Sequence, residues 1–479
     1  MHSGYICTGE AFRKKHKIKF LWGINKMQNA GKNITRFSLT WPLFFEFILR
    51  MLLSNVNVLM LSGYSDKAVA AVGVCAQIMN MILTLFMVTS TGSGIIISQY
   101  LGAGDGQTAA KAANLSIIAN MLIGAFMSII LVVFSRRLLI LMNLSGDILD
   151  YGSQYLYIVG GSLILQALIT TISVIARNFG KPKFALCVAF IINILNLAGN
   201  YIALYKPFGL PSYGIEGVAV SLLGSTLIGV LLMLWFLYKR LNLSLSFKEL
   251  IPFPVKIFNQ ILKIGVPSAM ENILFTATQT VAITIVTLIG AVEMAAMIYI
   301  QSIIPFVYLL SVSMGMATQI MVGHLVGAGK RDEADKESLK SLKYGIISNT
   351  LTSLLLMLLR IPILSLYTED IAIIKIAAFI LIIDIGVEIG RSFNNILAWS
   401  LRGVGDARYT MKMAIISMGI IDIPMCYILG VWLKMGIVGI WIAFALDEWY
   451  RGIMFYKRWK SKKWKQMCLV SLVEHQVEI

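Results

Sequence analysis

Long apolar runs, separated by short polar or glycine-rich segments, dominate the chain. Each run is about 20 residues or longer, the length that an α-helix needs to cross the hydrocarbon core of a bilayer. The pattern therefore predicts an all-α integral membrane protein with twelve transmembrane helices. The predicted helices cover residues 39–63, 69–98, 114–135, 152–176, 184–205, 215–238, 264–289, 294–324, 342–361, 373–400, 409–433 and 436–457.

A single offset of 225 residues relates the two halves of the chain. It joins Pro42 to Pro267 and Glu46 to Glu271. It also joins Gly102 to Gly327, Lys111 to Lys336, Arg177 to Arg402 and Gly180 to Gly405. A repeat of this size indicates a tandem duplication. Because each half has an even number of spans, the two six-helix lobes are predicted to be parallel repeats, which in transporters place the substrate between them.

The halves and their flanks define five segments. The prediction is a basic cytoplasmic N-terminal tail (1–37), an N-lobe (38–240), a cytoplasmic interlobe linker (241–262), a C-lobe (263–458) and a basic cytoplasmic C-terminal tail (459–479). The run of Lys, Arg and Trp at 457–465 is expected to lie on anionic lipid head groups or in water.

The positions of the charged residues along the chain explain its excess of basic residues, which would otherwise suggest that the protein binds nucleic acid. The chain is 58% hydrophobic and 14% charged, with a net charge of +17. Most of its Lys and Arg residues fall on segments on the same side as both termini, which is the asymmetry of cytoplasmic loops. The basic excess therefore sets the topology, with both termini in the cytoplasm and the protein in the cytoplasmic membrane, and no nucleic-acid partner is expected.

Catalytic and metal motifs are not found. The sequence has no HExxH and no CxxC pair, and its histidines lie in the tails or near the cytoplasmic boundary of a span, so neither an enzyme nor a resident cofactor is expected. The glycine-rich segments 100–112 and 325–337 could cradle a phosphate, but no strand precedes them and no GK[ST] follows. Tight cytoplasmic turns that start the next helix explain them better.

Several short motifs, in this order in a duplicated chain, resemble the multidrug and toxic compound extrusion (MATE) family. They are the WP start of the first span, DKAVAAVG at 66–73, SQYLGAGD at 98–105, GLPSYGIEGVA at 209–219, VPSAMEN at 266–272 and LRGVGD at 401–406. The resemblance covers nearly the whole chain beyond the first 37 residues. It implies two six-helix lobes around a central cleft, and export of amphipathic, often cationic, organic compounds in exchange for Na⁺ or H⁺.

Two glutamates at equivalent positions of the repeat are candidates for cation coupling, since a charged side chain inside a membrane is costly and often functional. Glu46 has Arg50 four residues later on the same helical face, so a structural ion pair would also explain it. Glu271 has Phe275 at the matching position. Glu271 therefore needs a proton, a Na⁺ ion or a partner from another helix, and the resemblance to NorM-type members assigns it to the cation site.

The tenth span carries a second set of candidates. Asp384, Glu388 and Arg391 lie three or four residues apart and so share a helical face. They could hold and release a cation, or form an ion-paired packing network. The sequence also departs from the family it resembles, because Arg391 stands where NorM-type members have the aspartate of this span.

Four amide side chains are predicted to line a polar cavity. By resemblance, Asn57, Asn196 and Asn200 replace the residues of the N-lobe cation site, and neutral amides can ligate Na⁺ but not release a proton. Gln279 lies about two turns after Glu271 and would contact substrate or cation, or a neighbouring helix. Asp422 has no assigned role, and Asp447, Glu448 and Arg451 are expected to form a structural network.

The sequence thus predicts a cation-coupled antiporter, acting as a monomer among membrane lipids on small amphipathic organic substrates. The alternative is a flippase for lipid-linked oligosaccharide or peptidoglycan precursors, which usually has several basic residues in its cavity. Arg50 and Arg391 are the two basic residues in plausible places for that role.

Overall fold

The computed structural model describes residues 35–205, 213–243, 251–467 and 469, and within these ranges the fold is built from helices alone. In the first half of the chain, the helices are α1 (Arg36–Ser62), α2 (Asp66–Gly102), α3 (Gly106–Leu141), α4 (Gly146–Gly161), α5 (Leu163–Asn178), α6 (Pro182–Tyr205) and α7 (Gly214–Lys239). In the second half, they are α8 (Val255–Ile289), α9 (Ala291–Gly327), α10 (Arg331–Leu364), α11 (Ile371–Phe393), α12 (Trp399–Gly403), α13 (Ala407–Ile416), α14 (Ile423–Tyr427) and α15 (Gly436–Lys460). Every backbone polar group in a bilayer must be satisfied within the protein, and helices achieve this.

The described helices account for twelve spans. Eight single helices are long and apolar enough to cross a membrane, and residues 407–432, in which π-helical segments extend α13 and α14 into one helix, make a ninth. The bent pair α4–α5 makes a tenth. The remaining two spans, α11–α12 and α15, are equally long but interrupted by acidic and basic side chains. The prediction of twelve transmembrane helices is therefore confirmed, and these two charge-interrupted spans lie in the same half.

The chain divides into two compact units. One contains 49–258 and the other contains 36–48 together with 259–479. The predicted lobe boundary at 38 thus differs from the observed division, because the first half of α1 belongs with the second unit. The predicted linker (241–262) is also shorter than expected, since α8 begins at Val255. Residues 1–34, including most of the predicted N-terminal tail, lie outside the described residues.

Equivalent contacts recur in both halves, as a duplication requires. Ser93 donates to Ser116 at 2.9 Å, and their repeat counterparts Thr318 and Ser341 form the same hydrogen bond at 2.8 Å. These hydroxyl pairs are fully buried and join the second and third spans of each unit. Side-chain hydrogen bonds of this kind help to hold membrane helices together without a hydrophobic driving force.

The glycine-rich segments are tight turns between helices. Gly104 and Gly329 have φ of 79° and 77°, in the left-handed region that favours glycine. Asp105 follows in the first repeat and accepts a hydrogen bond from the amide of Thr108 at 2.9 Å, which caps α3. The interpretation of these segments as helix-starting turns is confirmed.

The C-terminal segment packs against the second unit instead of extending over lipid or into water. Trp459 and Trp464 are fully buried and stacked, with ring centroids 4.3 Å apart. Trp459 Nε1 donates to Asp335 Oδ1 at 2.9 Å, and Lys462 binds the other oxygen of the same carboxylate. Lys465 binds Asp332, and this hydrogen bond lowers the pKa of the Asp332 carboxyl. The segment 457–466 thus differs from the predicted free tail and forms a clasp on the start of α10.

Replacing Trp464 with alanine is expected to destabilise the second unit, because the loss of a fully buried tryptophan costs about 3–5 kcal/mol. The matched control is Trp432→Ala, since the Trp432 side chain is 71% exposed. Melting of the detergent-purified variants by differential scanning fluorimetry would measure the difference. Equal melting temperatures for the two variants would show that the clasp does not stabilise the protein.

Candidate functional site

Buried charges on α11 and α15 form an alternating chain across the two helices. Arg391 pairs with Glu388 on its own helix, and its Nε lies 3.2 Å from Glu448 Oε1 on α15. Arg451 Nη2 lies 3.2 Å from Glu448 Oε2 and also pairs with Asp447. We call Glu388, Arg391, Glu448, Arg451 and Asp447 the charge ladder. It contains three carboxylates and two guanidinium groups, so with all three carboxylates ionised it lacks one positive charge.

Neutral donors complete the hydrogen bonding of each carboxylate in the charge ladder. Asn349 Nδ2 donates to Glu388 Oε2 at 3.1 Å. Asn394 donates to a carboxylate oxygen of Glu448, and Ser417 donates to Asp447. Buried ion pairs need such extra hydrogen bonds to offset the cost of removing the charges from water.

The backbone departs from regular helix beside the charge ladder. Residues Asn394–Ala398 form a π-helical segment between α11 and α12. The chain approaches α9 so closely there that a Cβ at Gly315 would lie 2.0 Å from the carbonyl oxygen of Asn395. Only glycine permits this approach. Such π-helical turns are frequent at functional sites, and this one turns Asn394 toward Glu448.

A cavity of about 510 Å³ lies inside the second unit, and Arg391, Glu448 and Arg451 of the charge ladder line its wall. Its volume is in the range of small-molecule sites. Its aromatic walls include Phe275, Tyr308, Trp399, Trp441 and Phe444. Amides of Asn272, Gln279, Gln301, Asn394 and Asn395 and the charged side chains of Glu271, Arg391, Arg402, Glu448 and Arg451 also line it. The cavity is thus mainly aromatic and apolar, with convergent polar groups.

Glu271 faces Arg402 across this cavity. The shortest distance between their charged groups is 3.9 Å, from Arg402 Nη1 to Glu271 Oε2. That oxygen is buried and accepts no hydrogen bond from any residue that the structure describes. Glu271 was expected to need a proton, a Na⁺ ion or a partner from another helix. Arg402 is such a cationic neighbour, but the two groups are not hydrogen-bonded.

Two further buried acids lie near the charge ladder. Asp384 accepts a hydrogen bond from Trp441 Nε1 at 3.1 Å, and Asp422 accepts one from the Cys426 thiol at 3.3 Å. Asp384 shares a helical face with Glu388 and Arg391, as expected. The structure nevertheless gives these residues different partners. Arg391 pairs with Glu388 and Glu448, whereas Asp384 accepts its hydrogen bond from the indole of Trp441 on α15.

The first unit contains an uncharged polar cluster of three asparagines. Asn57 Nδ2 donates to Asn196 Oδ1 at 3.2 Å, and Asn200 Nδ2 donates to Asn57 Oδ1 at 3.1 Å. Asn196 also lies 3.5 Å from Ser221. The Asn200 oxygen is buried and, among the described residues, accepts no hydrogen bond. The three asparagines that sequence reasoning grouped together therefore form one cluster, whose oxygens are the type of ligand that hard cations take.

The remaining candidates lie as follows. Glu46 is buried on α1, whereas Arg50, one turn later, is exposed. The ion pair between them stays a prediction. Gln279 accepts a hydrogen bond from Gln301 Nε2 at 3.4 Å, so it makes the expected contact between neighbouring helices while also lining the cavity.

Sequence reasoning missed Arg402 as a cavity residue. It lies in the LRGVGD motif and at the repeat position of Arg177, but it follows the predicted span 373–400 and is not among the predicted site residues. Its side chain is buried and its guanidinium lies 4.2 Å from the Trp399 ring. The repeat of an arginine at this position was the signal that could have identified it.

Comparison with known proteins agrees with this architecture. The MatE family matches residues 42–202 and 267–428, two segments that start at the same point of the repeat. "Uncharacterized transporter YisQ" of Bacillus subtilis (strain 168) is 38% identical over 437 residues, covering 91% of this chain and 96% of that protein. "Probable multidrug resistance protein NorM" of Thermotoga maritima is 22% identical over 433 residues, covering 90% and 93%.

Solved structures share the fold at low sequence identity. A crystal structure of MATE in the bent conformation superposes with a TM-score of 0.84 at 17% identity, covering 92% of this chain and 97% of that one. A MOP superfamily transporter from Pyrococcus furiosus, described as having a binding pocket of reverse polarity, gives a TM-score of 0.82 at 18% identity, with the same coverage.

Proposed function

Since the chain belongs to the MatE family of multidrug and toxic compound extrusion transporters, we propose that it is an antiporter that exports amphipathic organic compounds in exchange for Na⁺ or H⁺. The observation that carries this proposal is the buried carboxylate of Glu271. It faces a cavity beside a charge ladder that lacks one positive charge. An inward-moving cation would supply that charge.

The exchange follows from competition for the same negative site. If the coupling cation and the substrate bind the C-lobe cavity in different states with different affinity, binding of one favours release of the other. Glu271, Asp384 and Glu388 are the acids proposed to take part, with Arg391 as their internal counter-charge. The amide cluster of the N-lobe has no acid, so its proposed role is limited to oxygen ligation.

The orientation and surroundings are part of the same proposal. The excess of Lys and Arg on one side supports an orientation in the cytoplasmic membrane with both termini in the cytoplasm. Transport then moves the substrate outward against a cation that moves inward. The proposed partners are lipids and small amphipathic molecules, and the protein acts as a monomer.

A lipid-linked precursor flippase is the second candidate. Three guanidinium groups line the cavity, one from each of Arg391, Arg402 and Arg451, which is more basic character than the sequence indicated. Each of them, however, faces a carboxylate within 4 Å. A pyrophosphate would have to displace these internal partners, so the antiporter is favoured.

The test uses purified protein in liposomes loaded with a fluorescent organic cation. A Na⁺ gradient and a pH gradient are imposed separately, and the movement of dye is followed. Movement that depends on either gradient would support the proposal and identify the coupling ion. Absence of movement under both gradients would refute it and direct attention to lipid-linked substrates.

A further inference from the structure

Two neighbouring helices of the second unit carry exposed basic residues at the same end. Arg408 and Lys412 are exposed at the start of α13, and Lys457 and Lys460 are exposed in the last turn of α15. Within the described part of the chain, none of the four pairs with a carboxylate. We call these four residues the basic patch.

Tyr409 joins α13 to α15 beside the basic patch. Its hydroxyl donates to the carbonyl oxygen of Met454 at 3.3 Å, and the guanidinium of Arg458 lies 4.8 Å from the centre of its ring. Arg408 directly precedes Tyr409, and Lys457 directly precedes Arg458. The basic residues of the two helices therefore lie at the same level of the bundle.

The charge of the basic patch is not compensated by the protein. The two residues on α13 are four positions apart and the two on α15 are three apart, and like charges at these spacings on a helix destabilise each other. By contrast, Arg458, Lys462 and Lys465 of the clasp each pair with an aspartate. An anion from outside the protein would relieve the repulsion within the patch.

An exposed apolar surface leads to the basic patch along each helix. On α15 it consists of Trp449, Ile453 and Tyr456, and on α13 it includes Ile415. In a bilayer, exposed apolar side chains face the acyl chains, tryptophan and tyrosine lie at the interface, and basic residues beyond them face the head groups. The patch thus lies where the acyl chain of a lipid would end and its phosphate would begin.

The duplication provides an internal comparison. By the 225-residue offset, the counterparts of the two basic residues on α13 are Lys183 and Cys187. When α7 and α15 are aligned at the glycine with positive φ that begins each of them, the counterparts of the two on α15 are the exposed Trp235 and Tyr238. The first unit thus has one basic residue at these four positions. The basic patch is therefore specific to the second unit and is more than the general charge asymmetry of the chain.

We propose that the basic patch binds the phosphate of an anionic phospholipid, whose acyl chains lie on the apolar surfaces of α13 and α15. Guanidinium and ammonium groups are the usual donors to phosphate oxygens. A phospholipid fits better than a free phosphate because the apolar surfaces continue directly from the patch. The bound lipid would hold α13 against α15, the helix that carries Glu448 and Arg451 of the charge ladder. The proposal specifies one of the lipid partners, and it stands or fails separately from the export function because its test needs neither substrate nor gradient.

The test compares two lipids at the protein surface by the quenching of tryptophan fluorescence. The full-length protein is reconstituted in phosphatidylcholine bilayers that contain brominated phosphatidylglycerol, with brominated phosphatidylcholine of the same chains as the reference. Trp449 is exposed on the apolar surface of α15, so the part of the signal that Trp449→Phe removes reports this site. Phosphatidylglycerol is expected to quench more strongly than phosphatidylcholine at the same bilayer fraction, and its advantage is expected to fall as salt is raised.

The double substitution Lys457→Gln with Lys460→Gln is expected to weaken the binding of phosphatidylglycerol about 30-fold, because each basic residue at an anionic surface contributes roughly a fivefold factor. The matched control is Lys181→Gln with Lys183→Gln, which removes the same charge from exposed positions in the first unit. It is expected to leave the binding reported by Trp449 unchanged. The substituted side chains are all exposed, and melting temperatures in detergent check that both variants are folded.

Equal quenching by the two lipids in the unsubstituted protein would overturn the proposal. A full preference for phosphatidylglycerol in the folded Lys457→Gln, Lys460→Gln variant would do the same. An equal loss in the control variant would show that net charge, and not the basic patch, determines the preference. Displacement of phosphatidylglycerol by millimolar inorganic phosphate would identify a site for free anions instead of a lipid site.

Discussion

Glu271→Gln is expected to lower gradient-driven export by about 5- to 150-fold, the range that corresponds to a coupling free energy of roughly 1–3 kcal/mol. Glutamine keeps the shape of the side chain but removes the negative charge that the coupling cation would bind. Arg402 then loses the one carboxylate that the described residues place within 4 Å of it, yet the two groups were 3.9 Å apart to begin with. Folding should therefore suffer much less than coupling. Dye transport in liposomes, with and without the gradient, measures the effect.

The matched control is Glu369→Gln, because Glu369 is an exposed acid in the same half, between α10 and α11. It should transport at the unsubstituted rate. Size-exclusion chromatography and melting temperature establish that both variants are folded. Export at the normal rate by folded Glu271→Gln would show that coupling does not use this carboxylate, and would leave Asp384 and Glu388 as the remaining acids to test.

Hydropathy and the repeat were sufficient to predict the twelve spans because each is a local property of the chain. A run of apolar residues forms a helix in lipid whatever its neighbours, and the 225-residue offset fixes the equivalence of the halves. The bounds were less accurate at helix ends that carry polar residues. The helices extend well beyond the apolar core there, as in α3, where Gly106 precedes the predicted start at 114. Polar residues outside the bilayer continue the helix without contributing to the apolar signal.

Helical periodicity alone predicted the partner of a cation-site candidate only where both residues lie on one helix. The three-residue spacing placed Glu388 and Arg391 on one helical face, where they could hold a cation or form an ion-paired network, and the structure contains their ion pair. The partner of Arg391 on α15 could not be predicted, because helical periodicity does not determine which spans become neighbours. For the same reason Asp384 was grouped with Glu388, although its hydrogen bond is to Trp441. The asparagine cluster was predicted because the resemblance supplied the pairing of spans that periodicity lacks.

Arg451→Gln is expected to be far more destabilising than Glu448→Gln, although both remove a buried member of the charge ladder. Without Arg451, Asp447 has no cationic partner, and the deficit of positive charge in the ladder grows from one to two. Breaking a buried pair in this way costs about 3–5 kcal/mol. Without the Glu448 charge, Arg391 keeps Glu388 and Arg451 keeps Asp447, so two balanced pairs remain.

Thermal melting of the two variants in detergent distinguishes these cases, with an expected difference on the order of 10 °C. The exposed Arg136→Gln is the reference, because an ion pair at the surface contributes only about 0–1 kcal/mol. Adding Asp447→Asn to Arg451→Gln should recover part of the loss, since it removes the carboxylate left without a partner. If Glu448→Gln melted as low as Arg451→Gln, the central carboxylate would be required for the packing of α11 on α15. The charge ladder would then be a structural network, and its excess of carboxylates would not indicate a binding site for the coupling cation.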